Sequence, residues 1–188
     1  SSYENIKGYT EISQFIQSIK RPRNIFLMIK AGDAIDAVIE QLLPFLSEDD
    51  IITDGGNSHY TDTQRRFNYL LTKGIHFVGC GVSGGEKGAR HGPSLMPGCS
   101  KSTYKTISPI LEAIAAKDSK SSPCCAYIGS EGSGHFVKMG HNGIEYAEMQ
   151  LLAELYALLT LSFSNEEIAK VLQDWNERDL SSFLLEIT

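Results

Sequence analysis

Strand-type and helix-type segments alternate from the first tens of residues, and that alternation restricts the chain to a narrow set of folds. Glu11 to Ile19 places Ile12, Phe15, Ile16 and Ile19 at helical spacing, and Pro22 stops the helix. Asn24 to Ile29 is a short apolar run of the kind found in buried strands. Asp33 to Leu43 returns to helical spacing through Ile35, Val38, Ile39 and Leu42. Asp50 to Thr53 reads as a second strand, Thr61 to Thr72 as a helix and Ile75 to Val78 as a third strand. Strands joined by helices of this length make βαβ units and a parallel sheet.

The pattern changes near residue 130. One long helix is expected from Gly134 to about Leu161, then helices over Asn165–Leu172 and Arg178–Ile187. The expected organisation is an α/β domain over residues 1–130, followed by the beginning of a helical domain over 131–188. The α/β pattern starts part-way through, and the last helix reaches Thr188 with no glycine, proline or polar stop. Both ends therefore lead us to expect a truncated chain.

Bulk properties exclude several classes of function. The net charge of −6 and the lack of a Lys/Arg cluster argue against nucleic-acid binding. No apolar run is long enough to span a bilayer, and no secretory signal is evident. Cys80, Cys99, Cys124 and Cys125 form no CxxC pair, so neither a zinc site nor a disulfide framework is expected. A reduced, cytoplasmic setting follows.

Open parallel sheets bind ligands beyond the carboxyl ends of their strands. Three such ends carry small or hydrogen-bonding residues: Lys30-Ala31-Gly32, Asp54 to Ser58, and Gly79 to Gly85. Gly79-x-Gly81-x-x-Gly84 formally matches a dinucleotide fingerprint. The residues after it, Glu86 to Pro93, make a poor opening for the helix that the fingerprint requires. A structural glycine turn and a substrate-binding loop are the other readings, and the next motif favours the loop.

That motif runs from Gly132 to Tyr146. At about 100° per residue, with Lys138 at zero, His141 falls near about −60°, Asn142 near about +40°, Glu145 near about −20° and Tyr146 near about +80°. Five functional side chains thus share one face of a helix where an apolar stripe would be ordinary. Singly, each has a plain explanation: a helix lysine is usually solvated, and a lone His or Asn is usually a satisfied core or cap group. Gly140 and Gly143 cost about 1 kcal/mol each in a helix and suggest close packing against it. A lysine acting as general base must be neutral, which burial and a nearby helix N-terminus favour. An acid on the same face gives one groove a base and an acid.

These residues carry a resemblance. Phe136 to Tyr146 is similar to the signature of the 6-phosphogluconate dehydrogenases, as are residues 54–58, 81–90 and 92–98, and Asp174-Trp175-Asn176. The resemblance covers nearly the whole chain in the family's order. It implies a partial Rossmann-like sheet and NADP-dependent oxidative decarboxylation of 6-phosphogluconate to ribulose 5-phosphate by a homodimer. Lys138 would be the base toward the C3 hydroxyl and Glu145 the acid toward C1 of the enediol. Ser83, Gly84 and Gly85 would hold the carboxylate end, Asn57, His141 and Asn142 the hydroxyls, and Tyr146 the phosphate. Lys30 and Ala31 would lie along the cofactor, with Asn57 and Val82 near the nicotinamide. No metal is implied.

The chain departs from the family pattern at three points. The opening strand–glycine turn–helix is missing. Gly140 stands where a β-branched residue is expected, and Tyr156 to Asp174 looks two residues short. Two rival readings follow, a non-catalytic truncated paralogue and a related β-hydroxyacid dehydrogenase. The Lys138/Glu145 pair speaks against the first, and His141-Asn142 with Glu145-Tyr146 against the second.

Overall fold

A computed structural model describes residues 6–188. The chain divides into two compact units between Met139 and Gly140. The first unit contains α1 (Ile12–Ser18), β1 (Asn24–Leu27), α2 (Asp33–Leu42), β2 (Ile51–Asp54), α3 (Tyr60–Leu71), β3 (His76–Ser83), α4 (Gly85–His91), β4 (Ser94–Gly98) and α5 (Lys101–Ile114). It ends with the first turns of α6 (Ser133–Leu159). The second unit has the rest of α6, then α7 (Asn165–Asn176) and α8 (Phe183–Ile187).

The sheet has the order β1-β2-β3-β4. The first three strands are parallel, with Leu27 opposite Asp54 and Asp54 opposite Gly79. β3 continues past that line to Ser83, where it pairs with β4. β4 runs antiparallel, so the sheet is mixed at one edge rather than parallel throughout.

Side chains alternate between the two faces of the sheet. On one face Ile25, Leu27, Ile52 and Phe77 pack with Ile16, Ile35, Ile39, Leu42 and Leu70 from the helices. On the other, Ile51, Val78 and Cys80 pack with Leu95, Ile107 and Leu111. Each fully buried Ile or Leu contributes roughly 1.5–3 kcal/mol of transfer free energy. β1 is buried on one face only: Phe26 is 39% exposed, and Met28, just past the strand, is 64% exposed. The expectation of a fully buried strand here is corrected by its position at the sheet edge.

Local chemistry supports the helices. Asp33 and Asp36 occupy the first turn of α2, where the helix dipole favours negative charge. Ser100 caps α5 by accepting from Thr103 N–H at 3.1 Å. Ser164 and Glu167 form a capping box on α7. At the amino end of the sheet, buried Arg23 donates to Asp50 at 2.7 Å and to the Ile16 carbonyl at 2.9 Å. Burial pushes the Asp50 carboxyl up, but hydrogen bonds from Arg23 and Ser47 win and hold it below the usual range.

Candidate active site

The site begins with glycines that are not in turns. Gly79 and Gly81 both lie within β3, and Gly98 closes β4. A Cβ on Gly81 would stand 2.6 Å from Lys138 Cβ and 3.0 Å from the Gly134 carbonyl. A Cβ on Gly98 would stand 2.5 Å from the Gly134 amide, and one on Gly134 would collide with the carbonyls of Met96 and Gly79. The first turns of α6 therefore lie flush on the backbone of β3 and β4. A dinucleotide fingerprint needs its first glycines in a turn after the strand. Here they are strand residues cleared for a helix, so that reading of residues 79–84 is excluded.

Ser83 ends β3, and Gly84 and Gly85 follow with φ of 132° and 56°. Those values favour glycine whatever packs nearby. Contrary to the expectation from sequence, a helix does form next: α4 spans Gly85–His91, with Gly88 N–H donating to the Gly84 carbonyl at 2.7 Å. The strand sets the start of this short helix, which its own composition supports poorly.

Lys138 is 9% exposed, seated over Gly81 and thus near the start of the Val82–Gly85 stretch. Asn57 is exposed and Val82 half-buried. Lys30 is exposed and Ala31 half-buried, just beyond the end of β1. A Cβ at Gly32 or at Gly85 would meet nothing within 4 Å, so both loops face open space. A crevice for an extended dinucleotide needs such space at the carboxyl ends of the strands.

A buried polar network lies beneath these loops. Asp54 accepts from Ser58 Oγ at 2.6 Å and from Gly56 N–H at 3.0 Å, which shapes the 54–58 loop. Arg66 on α3 is 1% exposed and donates to both Asp36 oxygens and to the Gly32 carbonyl. Its second terminal nitrogen lies 3.8 Å from Asp54. Hydrogen bonding by Arg66 holds the Asp36 carboxyl well below its usual range. His135, 2% exposed, shares a 2.6 Å hydrogen bond with Thr63 on α3. Burial holds its pKa below the ordinary value, although the Asp54 charge and the Gly56 backbone pull the other way. None of Thr63, Arg66 or His135 stands out in the sequence, because each resembles an ordinary helix residue until its burial is known.

The remaining predicted residues belong to the second unit. His141 Nδ1 lies 3.6 Å from Glu145 and 3.3 Å from Asn142 Oδ1, all on α6. Tyr146 is 69% exposed. Lys138 and Glu145 are two turns apart on one unbroken helix. The close packing expected at Gly140 and Gly143 is absent: a Cβ on either would meet nothing within 4 Å. Among the described residues, no group of three or more His, Cys, Asp or Glu could hold a metal ion. No helix there is long and apolar enough to cross a membrane.

Parallel strands with glycine-bearing carboxyl ends, leading into a helix with a buried lysine, define an α/β protein of the dinucleotide-binding class continued by helices. Comparison with known proteins narrows this. Residues 2–129 match the model for the NAD binding domain of 6-phosphogluconate dehydrogenase, and residues 134–188 match that for its C-terminal domain. The chain belongs to the 6-phosphogluconate dehydrogenase family. It is 53% identical to the NADP(+)-dependent decarboxylating enzyme of Bacillus subtilis (strain 168), and 52% identical to the NAD(+)-dependent one. Both matches cover 98% of this chain and 40% of the relative. A solved Plasmodium falciparum 6-phosphogluconate dehydrogenase, studied apo, with its cofactor NADP+ and with its substrate 6-phosphogluconate, superposes with a TM-score of 0.92. That protein is 44% identical, and the match covers 98% of this chain and 40% of it. The chain thus spans about 40% of the length of the relatives it matches.

Proposed function

We propose that this chain supplies the chemical centre of an enzyme that oxidatively decarboxylates 6-phosphogluconate to ribulose 5-phosphate with reduction of NADP+. The observation that carries the reading is the burial of Lys138 against Gly81, on the strand that leads to Ser83-Gly84-Gly85. The domain assignment is part of the proposal, with residues 1–130 on the nucleotide side and 131–188 opening the helical catalytic and dimerisation side.

The nicotinamide dinucleotide, when bound, supplies the hydride acceptor. Lys30, Ala31, Asn57 and Val82 are the residues that would hold it, the first three in the loops beyond β1 and β2 and Val82 near the carboxyl end of β3. Ser83, Gly84 and Gly85 bind the substrate carboxylate end, Asn57, His141 and Asn142 its hydroxyls, and Tyr146 its phosphate.

Lys138 takes the proton of the C3 hydroxyl as hydride leaves C3. The resulting 3-keto acid loses CO2 because its carbonyl accepts the electron pair of the breaking bond, and Lys138 returns its proton to that oxygen. Glu145 protonates C1 of the enediol, and the enol proton passes back to Lys138 as the ketone forms. Proton transfers of this type are worth about 10²–10⁴-fold in rate.

NADP+ as acceptor rests on the Plasmodium falciparum complex, because the two Bacillus relatives of different cofactor use are almost equally similar. A homodimer in the intact protein and a cytoplasmic setting are part of the same reading. Exposed Ile144, Leu151, Leu158 and Leu161 call for cover by further chain or a second subunit. Four unpaired cysteines suit a reducing compartment.

The deciding assay mixes protein, 6-phosphogluconate and NADP+ or NAD+ and follows reduced nicotinamide by absorbance. It is run on this chain and on a form extended to the length of its relatives. Turnover in the extended form that Lys138→Ala abolishes supports the reading. Absence of turnover in both forms leaves a binding or assembly module as the better account.

A further inference from the structure

The reaction assigned to Lys138 makes no use of His135, yet His135 is among the most completely buried side chains of the chain. It precedes Lys138 by three residues, so the two point to the same side of α6. Their seats on β3 are matched. A Cβ on Gly81 would meet Lys138, and a Cβ on Gly79 would stand 3.1 Å from His135 Nδ1. Two strand glycines, two residues apart, thus receive two helix side chains three residues apart.

The imidazole also reaches sideways. Nδ1 is 2.6 Å from Thr63 Oγ1, and Thr63 is itself fully buried on α3 and bonded to the His59 carbonyl at 3.2 Å. Nε2 is buried without a hydrogen bond of good geometry, with the Asp54 carboxylate and the backbones of Gly56 and Cys80 near enough to act on the ring. His135 therefore stands between the first turn of α6, the start of α3 and the 54–58 loop. A buried nitrogen without a full partner costs about 1–3 kcal/mol. An apolar residue would avoid that cost, so packing alone does not account for a histidine here.

We propose that His135, through its bond to Thr63, is a positioning residue that locks the lysine-bearing turn of α6 to the start of α3, which directly follows the 54–58 loop, so that Lys138 and Asn57 keep one fixed spacing. This rests on the assignment of those two residues to the reaction. Positional errors near 1 Å in such a site cost roughly 10²-fold in rate, so a strut between the two elements acts on turnover more than on affinity.

The test uses Thr63→Val, His135→Leu, their double variant, and His135→Asn, whose amide can replace Nδ1 toward Thr63. In the extended protein, Thr63→Val and His135→Leu are expected to lower kcat by about 10- to 100-fold with KM nearly unchanged. The double variant should be no worse than the worse single one, and His135→Asn should recover to within a few-fold of wild type. Unchanged kcat per folded enzyme, with only the melting temperature lowered, overturns the proposal. So does a His135→Asn variant as slow as His135→Leu. Should the wild-type extended protein form no NADPH at all, the assigned reaction fails, and the strut is judged on this chain by amide NMR. Shifted or exchange-broadened Gly55 to Ser58 amides in Thr63→Val and His135→Leu, restored in His135→Asn, then support it. Undisturbed amides refute it.

Discussion

Gly81 and Lys138 are built to fit each other: a Cβ on the glycine would stand 2.6 Å from Cβ of the lysine. The lysine owes its place to a missing side chain on the strand beneath it. Gly81→Ala meets no φ strain, since the residue has no positive φ, but its Cβ crowds Lys138 and the Gly134 carbonyl and pushes α6 away from β3. The expected cost is about 1–3 kcal/mol of stability, as for other overpacked cores. Turnover in the extended protein should fall by more than this destabilisation explains. Urea unfolding together with kcat measures both, and an alanine variant with wild-type stability and rate would show that the fit is not tight.

Gly140 and Gly143 make the opposite case. Both lie inside α6 with open space where a Cβ would go. Alanine at either position should stabilise the chain by about 0.5–1 kcal/mol, because the helix no longer has to order a glycine. Thermal unfolding of the two single variants checks this, and a drop in melting temperature would reveal a close neighbour at that face.

Arg66 ties α3 to α2 and to the loop before it, and its charge is offset by Asp36 and Asp54. Arg66→Met removes the cation and leaves the fully buried Asp54 without it. A loss of about 3–5 kcal/mol is expected, the usual result of breaking a buried pair from one side. Asp36→Asn should cost less, since Asp36 keeps a third of its side chain in water and an amide oxygen still accepts. Equal losses for the two variants, by chemical denaturation, would contradict this ordering.

Stability should depend on pH through two groups of residues. Burial lowers the pKa of His135 in the folded chain, so the unfolded chain takes up the proton first. Its contribution is complete above the unfolded value of about 6.5 and is lost as pH falls below it. Asp36 and Asp50 also have lowered folded values, so their contribution is present above about 3.9 and is lost in stronger acid. Denaturation midpoints between pH 8 and 4 should fall as pH falls, and His135→Asn should flatten the part between pH 7 and 5. An unchanged slope in that variant would remove His135 from the account.

Much of the fold is readable from spacing. Ile35, Ile39 and Leu42 recur at helical intervals and do form the buried side of α2. The long helix is expected from Gly134 and found from Ser133. Other parts are hidden. β4 reads Ser-Leu-Met-Pro-Gly, whose proline and glycine weaken any strand pattern, and pairing with β3 makes it a strand. α5 is readable in principle from Thr103, Ile107 and Leu111, each four apart. α8 begins at Phe183, five residues later than the helix expected from Arg178, because Ser182 caps it there.

The chain's own order of residues determined the alternation of strands and helices, the long helix carrying Lys138, and the three glycine-bearing ends that mark the ligand side. These are local properties, set by periods of two and 3.6 and by turn residues, so a linear reading finds them. Tertiary structure alone decided what the glycines are for. Gly79 and Gly81 resemble a phosphate-binding turn in the sequence, but they are the floor on which His135 and Lys138 rest. The His135–Thr63 bond joins residues 72 positions apart. A contact of that span leaves no trace in local periodicity, and it arises only when the sheet brings α3 and α6 together.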